Sequence, residues 1–172
     1  MRRIMLDTSI YGELIKDKEI MLDIVKLIPN ELVVYGNKII RNELKNTPRN
    51  IKEDKRSRRM LLLEIYDLFI MKERHNLKYN KIIEILSEDY FKEYKKQGGA
   101  LSKLNIKNDF LIIAIATIHN LDIVVSKDEH SMLSEKSIKS YHITNNRYGL
   151  RNPNFEKYKD FKKRVMRLCH HA

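Results

Sequence analysis

The chain has a single cysteine, Cys169, among 172 residues. No internal disulfide can form, which fits a reducing compartment. The longest apolar run, Phe110 to Ile118, is less than half the roughly 20 residues a bilayer span needs, so no membrane partner is expected. The opening MRRIMLD breaks its apolar run at Asp7, unlike a signal peptide. A soluble, cytoplasmic protein is the expectation. Glycine is scarce, with five in all, and the one pair, Gly98-Gly99, follows a helical stretch rather than a strand. That argues against a glycine-rich phosphate loop. His119 and His130 have no serine or cysteine partner signature for a triad. Cys169-His170-His171 lacks the second cluster of a zinc site.

What the chain has in plenty is positive charge. Lys and Arg number 34 against 23 Asp and Glu, a formal net charge of +11. Such a balance favours a polyanionic partner, although a well-solvated surface has the same composition. The apolar fraction of 42% is that of a globular chain, and the length suits one domain with one core.

Hydrophobic periodicity alternates short strands with helices. Residues 3–7, 32–35 and 121–126 read as strands, with 141–143 as a further one. Helical spacing appears at 20–28, stopped by Pro29-Asn30, and again from Ile39, from Met60, from 79 to 96 and from 109 to 119. Residues 46–59 read as a charged loop or helix start. After Pro153, the spacing of Phe155, Tyr158, Phe161, Val165 and Leu168 predicts an amphipathic C-terminal helix. The class is α/β: a mostly parallel sheet of four to five strands flanked by helices.

Four acids fall at unusual places in this pattern: Asp7 ends the first strand, Glu43 lies on the face of Ile39 and Ile40, Asp109 opens an apolar helix, and Asp128 follows Val125. Each has a plain alternative. Asp7 and Asp109 suit helix N-caps, Asp128 suits a turn, and Glu43 suits a surface pair. Yet Thr8, Ser9 and Asn108 could serve as caps instead. In parallel sheets, ligands collect at the carboxyl ends of strands, where Asp7 and Asp128 fall.

The ordered set Leu6-Asp7-Thr8-Ser9, Asn42-Glu43-Leu44, Asn108-Asp109 and Ser126-Lys127-Asp128 resembles the PIN-domain family, which includes the VapC-like ribonuclease toxins of toxin–antitoxin pairs. The resemblance covers roughly residues 3–145. It implies a three-layer sandwich with a PIN-like nuclease domain over 1–150, carrying a helical insertion at about 50–100. Residues 151–172 would then form a C-terminal helix packing on the same domain. It also implies a catalytic, metal-binding cluster of Asp7, Glu43, Asp109 and Asp128, with Ser9 and Ser126 supporting.

The implied activity is divalent-metal-dependent hydrolysis of RNA phosphodiester bonds. Hard ions such as Mg²⁺ or Mn²⁺ take carboxylate oxygens, and one or two ions suit the set. Four converging carboxylates without metal would repel and raise at least one pKa. Arg56, Arg58, Arg59, Lys107 and Lys127 are the expected nucleic-acid contacts. The amphipathic stretches at 57–74 and 79–96 leave apolar surface for an antitoxin or a second copy in a homodimer. A housekeeping RNA-processing nuclease and a non-catalytic RNA-binding or scaffold protein are the competing readings.

Overall fold

The computed structural model describes residues 1–28, 30–53, 55–70 and 75–171. The chain runs β1 (Arg2–Leu6), α1 (Thr8–Lys16), α2 (Lys18–Leu27), β2 (Leu32–Asn37), α3 (Lys38–Lys45), β3 (Lys52–Glu53), β4 (Arg56–Ser57) and α4 (Arg58–Phe69). It continues with β5 (Asn76–Leu77), α5 (Lys81–Lys96), α6 (Lys103–Ile118), β6 (Ile123–Ser126), α7 (Glu135–Tyr148), β7 (Asn154–Lys157) and α8 (Tyr158–His171). Five strands form one sheet in the order β5-β2-β1-β6-β7, and every pair in it is parallel. Helices flank it, as parallel sheets require. The three central strands carry near-continuous apolar runs because both faces are covered: Ile4, Met5, Leu6, Val34, Val124 and Val125 are wholly buried.

Two sequence expectations are corrected here. Residues 141–143 are not a strand; they lie within α7. Its buried face is Ser137, Ser140, Tyr141, Thr144 and Asn145, a helical period carried by small polar residues that an apolar pattern does not register. Ser134 caps it at one end, and Gly149, at φ 66°, closes the other in the left-handed conformation. The stretch after Pro153 is first a strand and only then a helix: Asn154–Lys157 pairs with Ile123–Ser126. This edge strand is half exposed and polar, with Phe155 packed on Tyr141 its one aromatic anchor.

The charged stretch before α4 folds as the β3–β4 hairpin, antiparallel, with Lys55 at φ 66°. Pro29, expected to stop α2, and residues 71–74, expected to continue α4, lie outside the described residues. Helix α6 begins at Lys103, so Asp109 sits in its second turn and does not open it. Only Ile106 is buried before Phe110, and Leu104 is 89% exposed, so the first turns stand clear of the core and escape the apolar pattern.

The end of β2 sets the position of α3. Asn37 caps that helix, accepting from the amides of Ile39 and Ile40 at 2.9 and 3.0 Å. Beside it Tyr66 donates its hydroxyl to the Asn37 carbonyl at 3.1 Å. A Cβ at Gly36 would fall 2.2 Å from that hydroxyl oxygen. Gly36→Ala is therefore expected to cost about 1–3 kcal/mol through overpacking, read as a lower urea midpoint.

Candidate metal centre

Four elements bring the four acids to one cleft of about 490 Å³, lined by Asp7, Glu43, Asp109 and Asp128 together with Thr8, Ser9, Gly12, Leu44, Thr47, Arg58 and Leu62. Asp7 follows β1, Glu43 rides on α3, Asp109 on α6, and Asp128 follows β6. Asp7 and Asp128 thus lie just past the carboxyl ends of neighbouring parallel strands, where the fold opens a crevice.

Asp7 is buried and does cap α1. The cap and the cleft use different oxygens. Its Oδ2 accepts from the Ser9 amide at 3.4 Å, the Ser9 hydroxyl at 2.8 Å and the Ser126 hydroxyl at 2.9 Å. Its Oδ1 accepts only from the Thr8 hydroxyl, at 3.3 Å, among the described residues. Ser9 and Ser126 reach further, since the Lys127 amide donates to Ser9 Oγ at 3.1 Å and the Asp128 amide to Ser126 Oγ at 3.0 Å. The two hydroxyls lace the end of β1 to the end of β6. Ser126→Ala orphans the Asp128 amide and removes one bond to Asp7; a loss of about 1–2 kcal/mol in unfolding free energy is expected.

Glu43 sits half-buried at the rim of the Ile40 and Leu44 face and accepts from the Asn108 side chain at 2.6 Å. Burial raises its carboxyl pKa; the Asn108 amide opposes this, the Asp7 charge adds to it, and the Thr8 hydroxyl again opposes. Asp109 is perturbed further. Burial, first of all, lifts it to about 7; the Ser131 hydroxyl works against this, while the charges of Asp7, Asp128 and Glu43 add to it. Asp128 moves the other way. Burial opposes ionisation there too, but the Ser131 hydroxyl and the amides of Ser131 and His130 hold it below its usual value. Those amides donate to its Oδ1 at 2.8 and 2.9 Å, the turn that its sequence position suggested.

Ser131 is a polar partner that the sequence left unmarked, and Asn108, expected as an alternative cap, lies inside α6 and donates to Glu43 instead, Ser102 standing at the cap position. Ser131 Oγ lies within hydrogen-bond distance of both Asp109 Oδ2 and Asp128 Oδ2. One hydroxyl has one proton to give. That proton is shared between the two carboxyl oxygens, Asp109 Oδ2 and Asp128 Oδ2, so Ser131 can donate fully to only one of them at a time. The spacing Asp128-x-x-Ser131, a capping-type offset, is the one sequence signal for it.

The expected basic contacts do not converge as the acids do. Arg58 alone lines the acidic cleft. Arg56 is paired with Glu64 at 2.6 Å and Lys127 with Glu13 at 2.7 Å. Arg59 borders a hollow with Arg49, Ser57 and Met60, and Lys107 borders another beside Glu84, Glu88 and Asp89.

No protein-family model matches the sequence, and no curated protein matches it. Solved structures do. One is VapBC2 from Rickettsia felis bound to a DNA fragment from its promoter, at 15% identity and TM-score 0.55. Another is VapBC-1 from nontypeable Haemophilus influenzae, at 17% and 0.57. A third is DNA-bound VapBC from Salmonella typhimurium, at 16% and 0.54. Each match covers 91% of this chain and 98% of the other. The fold is PIN-like. At such identities the likeness lies in the path of the chain, and the PIN-like frame is what this protein shares with those structures.

The donor set suits a hard divalent cation: four carboxylates, no thiolate and no imidazole lining the cleft. None of the four is ion-paired to lysine or arginine among the described residues. As they stand, no three Asp, Glu, His or Cys side chains among the described residues are gathered closely enough to hold an ion. The cleft is an open array of donors.

Proposed function

We propose that the protein is a divalent-metal-dependent endoribonuclease, the toxin of a toxin–antitoxin pair. The observation that carries this reading is the arrival of four carboxyl groups, from four separate elements and without a lysine or arginine partner among the described residues, in one cleft at the carboxyl edge of a parallel sheet. The similar solved structures are VapBC assemblies, which supports an antitoxin as partner.

Asp7, Glu43, Asp109 and Asp128 would hold Mg²⁺ or Mn²⁺, as one ion or two. Such ions activate a water and stabilise the leaving oxygen of a phosphodiester. The chain supplies the arrangement. Ser9 and Ser126 fix Asp7 Oδ2 and leave Oδ1 to ligate. Asn108 orients Glu43. Ser131 bridges Asp109 and Asp128 through its hydroxyl and would hold the two carboxyl groups in place for a cation.

An apolar hollow of about 320 Å³ between α1, α2 and α4, lined by Leu14, Ile15, Met21, Leu61, Ile65 and Leu68, would seat an amphipathic segment of the antitoxin. The exposed Ile82 and Ile85 of α5 would serve a homodimer.

The test is cleavage of a labelled RNA mixture with Mn²⁺ or Mg²⁺. The expected result is cutting that EDTA stops. One observation favours a second reading, a PIN-fold RNA-binding protein without catalysis: the carboxylates are not gathered into a ready coordination shell. RNA retained but never cut, with any divalent metal, would establish that reading instead.

A further inference from the structure

We propose that Arg58, placed by Gly12 and Glu53, is a subsite for one backbone phosphate of the RNA at the edge of the acidic cleft, a step that rests on the ribonuclease reading above. Arg58 is the one lysine or arginine among the residues lining that cleft. It stands at the first position of α4, and its Nη1 donates to Glu53 Oε2 at 3.2 Å across the β3–β4 hairpin. Its Nη2 lies against α1 at Gly12: a Cβ built there would meet Nη2 at 3.0 Å and nothing else within 4 Å. Gly12 is inside α1, where glycine weakens a helix. The residue missing a side chain is thus the one over which the guanidinium lies.

Electrostatics alone would send Arg58 onto the four carboxylates. It pairs with none of them among the described residues, because Glu53 holds it by one edge. A guanidinium has five N–H donors in a planar fork. Glu53 takes one of them at 3.2 Å, and among the described residues no protein acceptor takes the donors of Nε or Nη2. Those donors border an open cleft, and the fork matches phosphate oxygens. Arg58 would hold a phosphate next to the one being cut, while Glu53 keeps the cation from competing with metal for the acids. Arg56 and Lys127, also basic and nearby in sequence to site residues, are already closed into surface pairs.

The experiment compares wild type with Arg58→Ala, Arg58→Lys, Glu53→Gln and Gly12→Ala in three readouts: steady-state cleavage at saturating Mn²⁺, anisotropy binding of a single-stranded oligoribonucleotide across a salt series, and Mn²⁺ affinity by EPR. Losing one charge-assisted phosphate contact should raise KM and the RNA Kd about ten- to a hundredfold with kcat within about threefold. The slope of log K against log salt should fall by about 0.7. Mn²⁺ affinity in Arg58→Ala should not weaken. Arg58→Lys should restore the salt slope and only part of the affinity, since it keeps the charge without the fork. Gly12→Ala should weaken RNA binding in the wild type and do nothing further in Arg58→Ala. Glu53→Gln should raise the Mn²⁺ concentration needed for half-maximal cleavage. An Arg58→Ala protein with unchanged KM, Kd and salt slope overturns the proposal, as does a fall in kcat accompanied by weaker Mn²⁺ binding. If the wild type binds RNA without cutting, the ribonuclease reading fails and the Kd and salt slope still decide the role of Arg58. If it neither cuts nor binds, both fall together.

Discussion

Asp7→Asn is expected to reduce the proposed metal-dependent RNA cleavage by at least about a thousandfold and to leave the fold in place. The magnitude follows from what is lost: a ligand that contributes to every charge-stabilising interaction of the reaction. The expectation that the fold survives follows from the geometry. Asparagine retains a carbonyl oxygen that can take the Ser9 amide, the cap role. Ser9 Oγ and Ser126 Oγ both donate to Oδ2, so an amide oxygen in that place keeps both bonds, and only the Thr8 bond to Oδ1 is lost. A circular dichroism melt within a few degrees of wild type, beside a gel with no product, is the expected pair of results. Cleavage at the wild-type rate would remove Asp7 from the site altogether.

Asp109→Asn, by contrast, is expected to stabilise the protein. In the metal-free protein the Asp109 carboxyl is lifted to about 7, chiefly by burial, against 3.8 in an unfolded chain. Between those values the folded state holds a proton that the unfolded state has released. The folded state then binds more protons, so stability falls as pH rises from about 4 through 7. The Asp109 contribution is about 2–3 kcal/mol of destabilisation at pH 8, once partial exposure is allowed for. Asparagine removes it. The variant should therefore be more stable than wild type at pH 8, the difference shrinking to nothing near pH 4, as measured by urea unfolding in EDTA. Adding Mn²⁺ should stabilise wild type at pH 8 by mass action and leave the variant nearly unmoved. A variant less stable than wild type at pH 8 in EDTA would mean that Asp109 is held as a satisfied carboxylate and that the cleft is not electrostatically strained.

The parts of this protein legible in sequence are those written in apolar side chains. Strands β1, β2 and β6 are buried on both faces, so each is a short run of Ile, Val, Leu and Met bounded by polar residues. The acids stood out for the converse reason, as charges at the ends of buried runs. The illegible parts depend on polar residues in tertiary roles. The buried side of α7 is built from Ser137, Ser140, Thr144 and Asn145 around Tyr141, and Asn145 accepts from the Tyr90 hydroxyl at 2.6 Å. Edge strand β7 takes its register from the backbone of β6 rather than from a pattern of its own. Ser131 and Asn108 could be assigned partners only once α6, α3 and the turn after β6 were brought together. For Asp7 and Asp128, the cap and turn alternatives do not exclude a place in the cleft: the Ser9 amide binds the one and the His130 and Ser131 amides the other, and both carboxylates line it.

The most direct test of the central claim is a Mn²⁺ titration at pH 8 followed by EPR, on wild type and on a protein carrying both Asp7→Asn and Asp109→Asn. The account predicts one or two bound ions in the wild type, displaced by Mg²⁺, and none in the double variant at the same concentrations. Wild-type protein that binds no Mn²⁺, or a double variant that binds it equally well, would contradict the assignment of this cleft as the metal centre.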